Sequence, residues 1–279
     1  MPQTLPDSGM TIRESLRVSP LPRSEAQLLW QHVLNKPKSW LIGHDTDRLD
    51  EADVARFLQL QQQRHAGEPM AYLLGEREFM GHSFSVSPAV LIPRPETEHL
   101  VEQALAEAES RPVRRVLDMG TGSGAIAISI ALANPALEVT ATDYSLDALA
   151  VAQRNAQALS ASVQFLHGDW YAALDDDTRF ELIVSNPPYI DSQDPHLAQG
   201  DLRFEPSQAL TDGADGLQAF RVNIFGAAKH LSKGGALWME HGWDQAASVR
   251  AMLAEAGFTE VKSLTDLAGI ERISGGRYL

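Results

Sequence analysis

Asp118-Met119-Gly120-Thr121-Gly122-Ser123-Gly124 lies between an apolar run, Val113 to Leu117, and a helical run, Ala125 to Ala133. Glycines between a strand and a helix let the backbone turn sharply and approach a ligand closely. The spacing is G-x-G-x-G, not the dinucleotide pattern G-x-G-x-x-G, and no Gly-Lys-Ser/Thr follows, so a nucleotide phosphate site is poorly supported. Asp118, directly before the glycines, would repel a pyrophosphate and attract an ammonium group, which favours a ligand carrying an amino acid. The bland alternative is a glycine-rich turn with no ligand.

Outward from this loop the hydrophobic period switches repeatedly. Strands are expected at 113–117, 137–142, 163–166, 180–184 and 236–240, with helices at 125–133, 146–159, 216–231 and 245–256. Two further strands, 259–264 and 277–279, close the chain. Strands alternating with helices predict an α/β fold with a doubly wound, mainly parallel, seven-stranded sheet. Upstream, residues 1–20 lack apolar periodicity and read as a flexible tail. A helical domain is expected over 21–75: one helix opens at Ser24 as N-cap, a second runs from Asp50 to His65, and the Pro37 to Gly43 region turns between them. At 76–94 Phe79, Phe84, Val86 and Val90 interleave with glycine and serine, which suits a β-hairpin linker. The catalytic domain would then span 95–279, with Pro95 suited to a helix-opening turn.

Two acids and a tryptophan fall at the ends of the next strands. Asp143 comes about twenty residues after the glycines, where a carboxylate typically accepts from two ribose hydroxyls. Its other reading, a charge at the start of the helix from Leu146, is weaker because Ser145 is better placed to cap. Trp170, after Gly168 and Asp169, suits either core packing or an adenine contact. An amino acid, a ribose and an adenine along three successive strand ends describe S-adenosyl-L-methionine, with S-adenosyl-L-homocysteine as product. Gly120, Thr121, Gly122, Ser123, Gly124, Asp143, Trp170 and Asn186 are the candidate cofactor residues.

The fourth strand runs into Val184-Ser185-Asn186-Pro187-Pro188-Tyr189-Ile190. Two adjacent prolines end a central strand, so Asn186 stands stiffened at its carboxyl-terminal end. The Asn186 side-chain oxygen and the Pro187 carbonyl could accept both hydrogens of a planar NH2 group, orienting its lone pair, while Tyr189 packs on its flat face. Asn186, Pro187 and Tyr189 are thus the candidate catalytic residues, and Asn186 to Tyr189, Pro188 included, the candidate substrate site. An ordinary Asn-Pro turn is the alternative.

Composition narrows the class. The 279 residues are 44% hydrophobic and 22% charged, enough for a large domain with a smaller one. A net charge of −14 weighs against gripping duplex DNA. No apolar stretch is long enough to span a bilayer and no secretory layout opens the chain, so no membrane partner and a cytoplasmic location are expected. There is no cysteine, and the nine histidines lack metal-ligand spacing, so no metal is expected. His241 is read as a loop histidine without a role.

Together these strings resemble class I methyltransferases acting on planar nitrogen. Leu91-Ile92-Pro93-Arg94-Pro95-Glu96-Thr97-Glu98, Ser185 to Ile190, Arg203-Phe204-Glu205-Pro206, Asp266-Leu267-Ala268-Gly269 and Gly276-Arg277-Tyr278 are similar to the peptide-chain release factor N5-glutamine methyltransferases. The stretch before Arg23 has no counterpart in that likeness. The resemblance implies methylation of the glutamine side-chain amide in the Gly-Gly-Gln motif of release factors 1 and 2, with the N-terminal helices gripping the factor. A ribosomal-protein glutamine methyltransferase, an adenine-N6 DNA methyltransferase and a binding protein that has lost catalysis are the rival readings. Roles for Arg94, Glu96 and His241 stay open.

Overall fold

A computed structural model describes residues 9–279. The chain divides between Gly75 and Glu76 into two compact units.

The first unit is helical. It holds α1 (Ile12–Val18), α2 (Arg23–Leu34), α3 (Lys38–Gly43), α4 (Glu51–His65) and α5 (Met70–Leu74). Helix α1 corrects the tail expected over 1–20; the first eight residues of that segment lie outside the described residues. A capping box fixes its start: Thr11 Oγ1 accepts from Glu14 N, and the Glu14 side chain accepts from Thr11 N. Buried Ser15 then receives the indole N–H of Trp30 at 2.7 Å, and Trp30 stacks on Phe57 of α4 at 4.1 Å. Seven residues are too few to show a helical period clearly, which is why sequence pattern missed it. Two smaller corrections follow. Pro22, not Ser24, occupies the α2 N-cap, and the expected turn over Pro37 to Gly43 contains α3.

The second unit opens with a hairpin, β1 (Glu76–Phe79) and β2 (His82–Ser85), and a 3-10 turn, Pro95–Thr97, leading into α6 (Glu98–Ser110). Strand β3 (Arg115–Met119), helix α7 (Ala125–Ala133), β4 (Glu138–Asp143), α8 (Leu146–Leu159), β5 (Val163–His167) and β6 (Phe180–Ser185) follow. A short α9 (Ser207–Leu210), α10 (Gln218–His230), β7 (Leu231–Glu240), α11 (Ala246–Glu255), β8 (Phe258–Thr265) and β9 (Glu271–Tyr278) complete it.

Seven strands form one sheet in the order β5-β4-β3-β6-β7-β9-β8, parallel except for β9, which is antiparallel to both of its neighbours. The winding direction reverses between β3 and β6, so a crevice opens beyond their carboxyl ends. Helix α7 is buried from Ala125 to Ala131, which explains a sequence apolar at every position but Ser129. Strand β9 begins six residues before the expected 277–279. Its glycines hid it: a Cβ at Gly275 would strike the Leu237 carbonyl and the Trp238 ring, so only glycine fits there. The amide of buried Asn155 on α8 bonds both backbone groups of Ser85 and the Ser123 carbonyl, joining the hairpin to the glycine loop.

Candidate active site

The loops after β3, β4, β5 and β6 share one cavity of about 350 Å³. Gly120 and Gly122 form its floor, Asp143 and Tyr144 one flank, Trp170 and Asn186 others. The loop keeps its shape through its backbone: the amides of Gly120 and Thr121 both donate to the Thr142 carbonyl, at 2.9 and 3.0 Å. Gly120, Gly122 and Gly124 all have positive φ. They differ in what surrounds them. A Cβ at Gly122 would meet open space, whereas one at Gly124 would stand 2.7 Å from Ile128 Cδ1 and 3.1 Å from Ala152 Cβ. Gly124 is therefore required by helix packing and Gly122 by the cavity.

Asp118 is not where the sequence reading put it. Strand β3 runs two residues further than expected, so Asp118 lies within it, fully buried and off the cavity wall. Its Oδ2 accepts from Thr121 Oγ1 at 2.6 Å and from Ala127 N at 3.2 Å, while Oδ1 has no partner. Burial pushes its carboxyl up to about 7, against those two hydrogen bonds. It braces the loop from inside. Thr121 and Ser123 are also buried and, with Gly124, stay off the wall.

Asp143 does reach the cavity. Gly122 N donates to its Oδ2 and Ser145 N to its Oδ1, both at 2.8 Å, which fixes the carboxylate plane and leaves lone pairs free. Burial raises its pKa, and these backbone donors oppose the rise. Trp170 has a left-handed backbone, φ 49°, and its ring stands over Gly120, with Cζ3 3.7 Å from where a Cβ would be. The half-buried indole both lines the cavity and packs against the core beneath it. A flat aromatic wall, a fixed carboxylate and a side-chain-free floor fit an adenine, a ribose and a close-lying chain, so these residues suit S-adenosyl-L-methionine.

Asn186 and Pro188 face the same cavity. Asn186 Nδ2 donates to Thr97 Oγ1 at 3.1 Å, and neither Asn186 Oδ1 nor the Pro187 carbonyl accepts a hydrogen bond from a described residue. Two adjacent acceptors are thus free at the end of β6. Pro187 itself is buried and Tyr189 is off the cavity wall, contrary to a ring open on the cavity. The Tyr189 hydroxyl donates to Glu240 Oε1 at 3.3 Å, and burial raises its pKa. The platform is clamped from below: Ile190 N donates to Leu210 O, and Gln245 Nε2 to the carbonyls of Tyr189 and Gly216.

Family models match both units. A PrmC N-terminal domain covers residues 11–75, and a Methyltransferase small domain covers 97–266. The release factor glutamine methyltransferase of Bordetella pertussis is 60% identical over 268 residues, 96% of this chain and 99% of that protein. The chain belongs to the release factor glutamine methyltransferases. The Escherichia coli member is 44% identical, over 94% of this chain and 95% of its own. A 16S rRNA N2 G1207 methyltransferase of T. thermophilus, solved with AdoMet and guanosine, shares the fold at TM-score 0.54 and 22% identity, over 73% of this chain and 50% of its own. The N-terminal match from residue 11 corrects the view that nothing before Arg23 has a counterpart among release factor glutamine methyltransferases.

Several wall residues escaped sequence reading. Pro206, Gln208, Thr211 and Asp212 line the cavity from the segment after β6. Buried Glu205 holds that segment in place: it accepts from Ile92 N at 3.0 Å and pairs with Arg94. Only the family strings containing Arg94 and Glu205 signalled this pair, because their separation of over a hundred residues carries no local pattern. His241 is buried, not on a loop surface, with Nε2 2.8 Å from Ser274 Oγ.

Proposed function

We infer that the protein transfers a methyl group from S-adenosyl-L-methionine to the side-chain amide nitrogen of a release factor glutamine. The free acceptor of Asn186, on the cavity that Asp143 and Trp170 share, with the unpaired Pro187 carbonyl next to it in the chain, carries this reading. When bound, the cofactor supplies a methyl on a sulfonium, an electrophile open to in-line attack. Asn186 Oδ1 and the Pro187 carbonyl accept the two amide hydrogens, and in doing so turn the nitrogen lone pair and stabilise the positive charge it gains. The prolines keep that pair of acceptors rigid, so little reorganisation accompanies the reaction. Asp143 holds the ribose hydroxyls and Trp170 the adenine face, with Gly120 and Gly122 allowing close approach. Tyr189 shapes the site from behind the platform.

The glutamine is that of the Gly-Gly-Gln motif in release factors 1 and 2, and the N-terminal helical unit, residues 11–75 by its family match, serves to recognise the factor. The names of the relatives and the N-terminal family match support this; the net charge of −14 speaks against duplex DNA. Among the described residues no helix is long and apolar enough to cross a membrane, and a cytoplasmic site of action fits a translation factor as substrate. The test is transfer of labelled methyl to release factor, ribosomal protein or duplex DNA, offered separately. Label confined to release factor, and lost when the Gly-Gly-Gln glutamine is replaced by alanine, is expected. Label on DNA, or incorporation unchanged by that replacement, overturns it.

A further inference from the structure

Two stretches line the cavity without a part in holding the cofactor: residues 89–91, ahead of the turn into α6, and residues 206–209, at the start of α9. Val90, Leu91, Pro206 and Ala209 give them apolar surface. That surface suits the two methylenes of a glutamine side chain whose amide lies against Asn186. The stretches are far apart in sequence, and one carboxylate joins them. Glu205, directly before Pro206, accepts at 3.0 Å from the amide of Ile92, directly after Leu91, and its other oxygen pairs with Arg94. Each partner of the ion pair precedes a proline, Pro95 or Pro206, which confines its backbone to the extended region. Arg94 has φ −100° and ψ 142°, Glu205 φ −84° and ψ 153°. The Glu205 side chain is wholly buried, whereas that of Arg94 is 29% exposed. Beyond Glu205, Leu210 at the end of α9 accepts from Ile190 N at 2.9 Å, which ties the second stretch to the platform as well.

We propose that Glu205 is a positioning residue: paired with Arg94, it straps the two stretches together and so fixes the walls that receive the glutamine stem. Neither residue lines the cavity, and neither bonds to a residue that holds the cofactor. Loosening the strap therefore weakens the hold on the release factor and spares cofactor affinity. The two partners differ in what their loss leaves behind. Without Glu205, Arg94 can turn to water. Without Arg94, Glu205 is a buried charge with no ion partner, the most damaging way to break such a pair, whereas removing both charges leaves none buried. The second replacement then repairs the first, a signature that loss of packing alone does not produce.

The inference rests on the proposed methyl transfer for its use, but its geometry is tested without turnover. In hydrogen exchange on the full-length protein, Arg94→Leu is expected to speed exchange about tenfold or more across 89–92 and 207–211, with 236–240 in β7 unchanged. Adding Glu205→Gln, which keeps an acceptor for Ile92 N, is expected to restore most of that protection. In methyl transfer, Arg94→Leu is expected to raise KM for release factor about tenfold, with kcat and the S-adenosyl-L-homocysteine Kd within about threefold. Glu205→Gln alone, the variant that leaves no charge buried, is expected to raise KM about threefold, and the double variant to have a lower KM than Arg94→Leu. Exchange across 89–92 and 207–211 that matches the wild type in Arg94→Leu, or KM increases that multiply in the double variant, overturn the proposal. If the wild type labels no release factor, the functional reading fails while hydrogen exchange still decides this one.

Discussion

The glycine loop after β3 and the platform after β6 lie on one cavity but are built differently. The loop is a backbone device: its contacts run from amides of residues 120–122 to Thr142 and Asp143, all within about twenty-five positions of chain. The platform is mainly a side-chain device, held by Thr97, Glu240 and Gln245 with one backbone bond to Leu210, and these partners come from three separate parts of the sequence. A site that must admit a cofactor closely needs room and a few amides; a site that must orient a weak nucleophile needs acceptors that do not move. The loop should therefore govern binding and the platform turnover.

Breaking the platform gives the largest effect. Asn186→Ala removes one of the two acceptors and is expected to cut kcat by about 10²–10³, the usual loss for one preorganised polar group, measured by single-turnover methyl transfer. On the loop side, Gly124→Ala meets both a left-handed backbone and the Ile128 and Ala152 side chains. A loss of about 2–3 kcal/mol in stability is expected from denaturant midpoints. Gly122→Ala meets the strain alone, and about 1 kcal/mol is expected. Equal losses at the two glycines would contradict the distinction between packing and cavity.

Asp118 sharpens the comparison through pH. Its folded pKa, about 7, lies above the ordinary 3.8, so the folded state binds the proton more tightly. Its contribution is intact below the unfolded value and is lost as pH rises from about 4 to 7, at a slope of at most about 1.4 kcal/mol per unit. Asp118→Asn is expected to flatten that part of the stability curve in urea titrations across pH. An unchanged slope would mean that Asp118 is ionised in the fold and does not brace the loop as a buried acid.

How far the sequence could be read follows the same division. The loop, Asp143 and Trp170 were legible because their chemistry is local: a strand, a turn and a helix in order. The sheet was legible for the same reason, except β9, whose Gly275 and Gly276 serve the Trp238 ring and so broke the alternation. Asp118 was misread because a strand that ends two residues later takes a carboxylate from the ligand side into the core. Tyr189 was assigned an open face it does not have, since its partner Glu240 is fifty-one positions away. Helix α1 escaped notice because it depends on a capping box and on Trp30, not on a period of its own.

Calorimetric binding of S-adenosyl-L-homocysteine to Asn186→Ala tests most directly whether loop and platform divide the labour. The account predicts a Kd within about tenfold of the wild type despite the large fall in turnover, because the platform acts mainly in the transition state. A loss of affinity as large as the loss of turnover would contradict it.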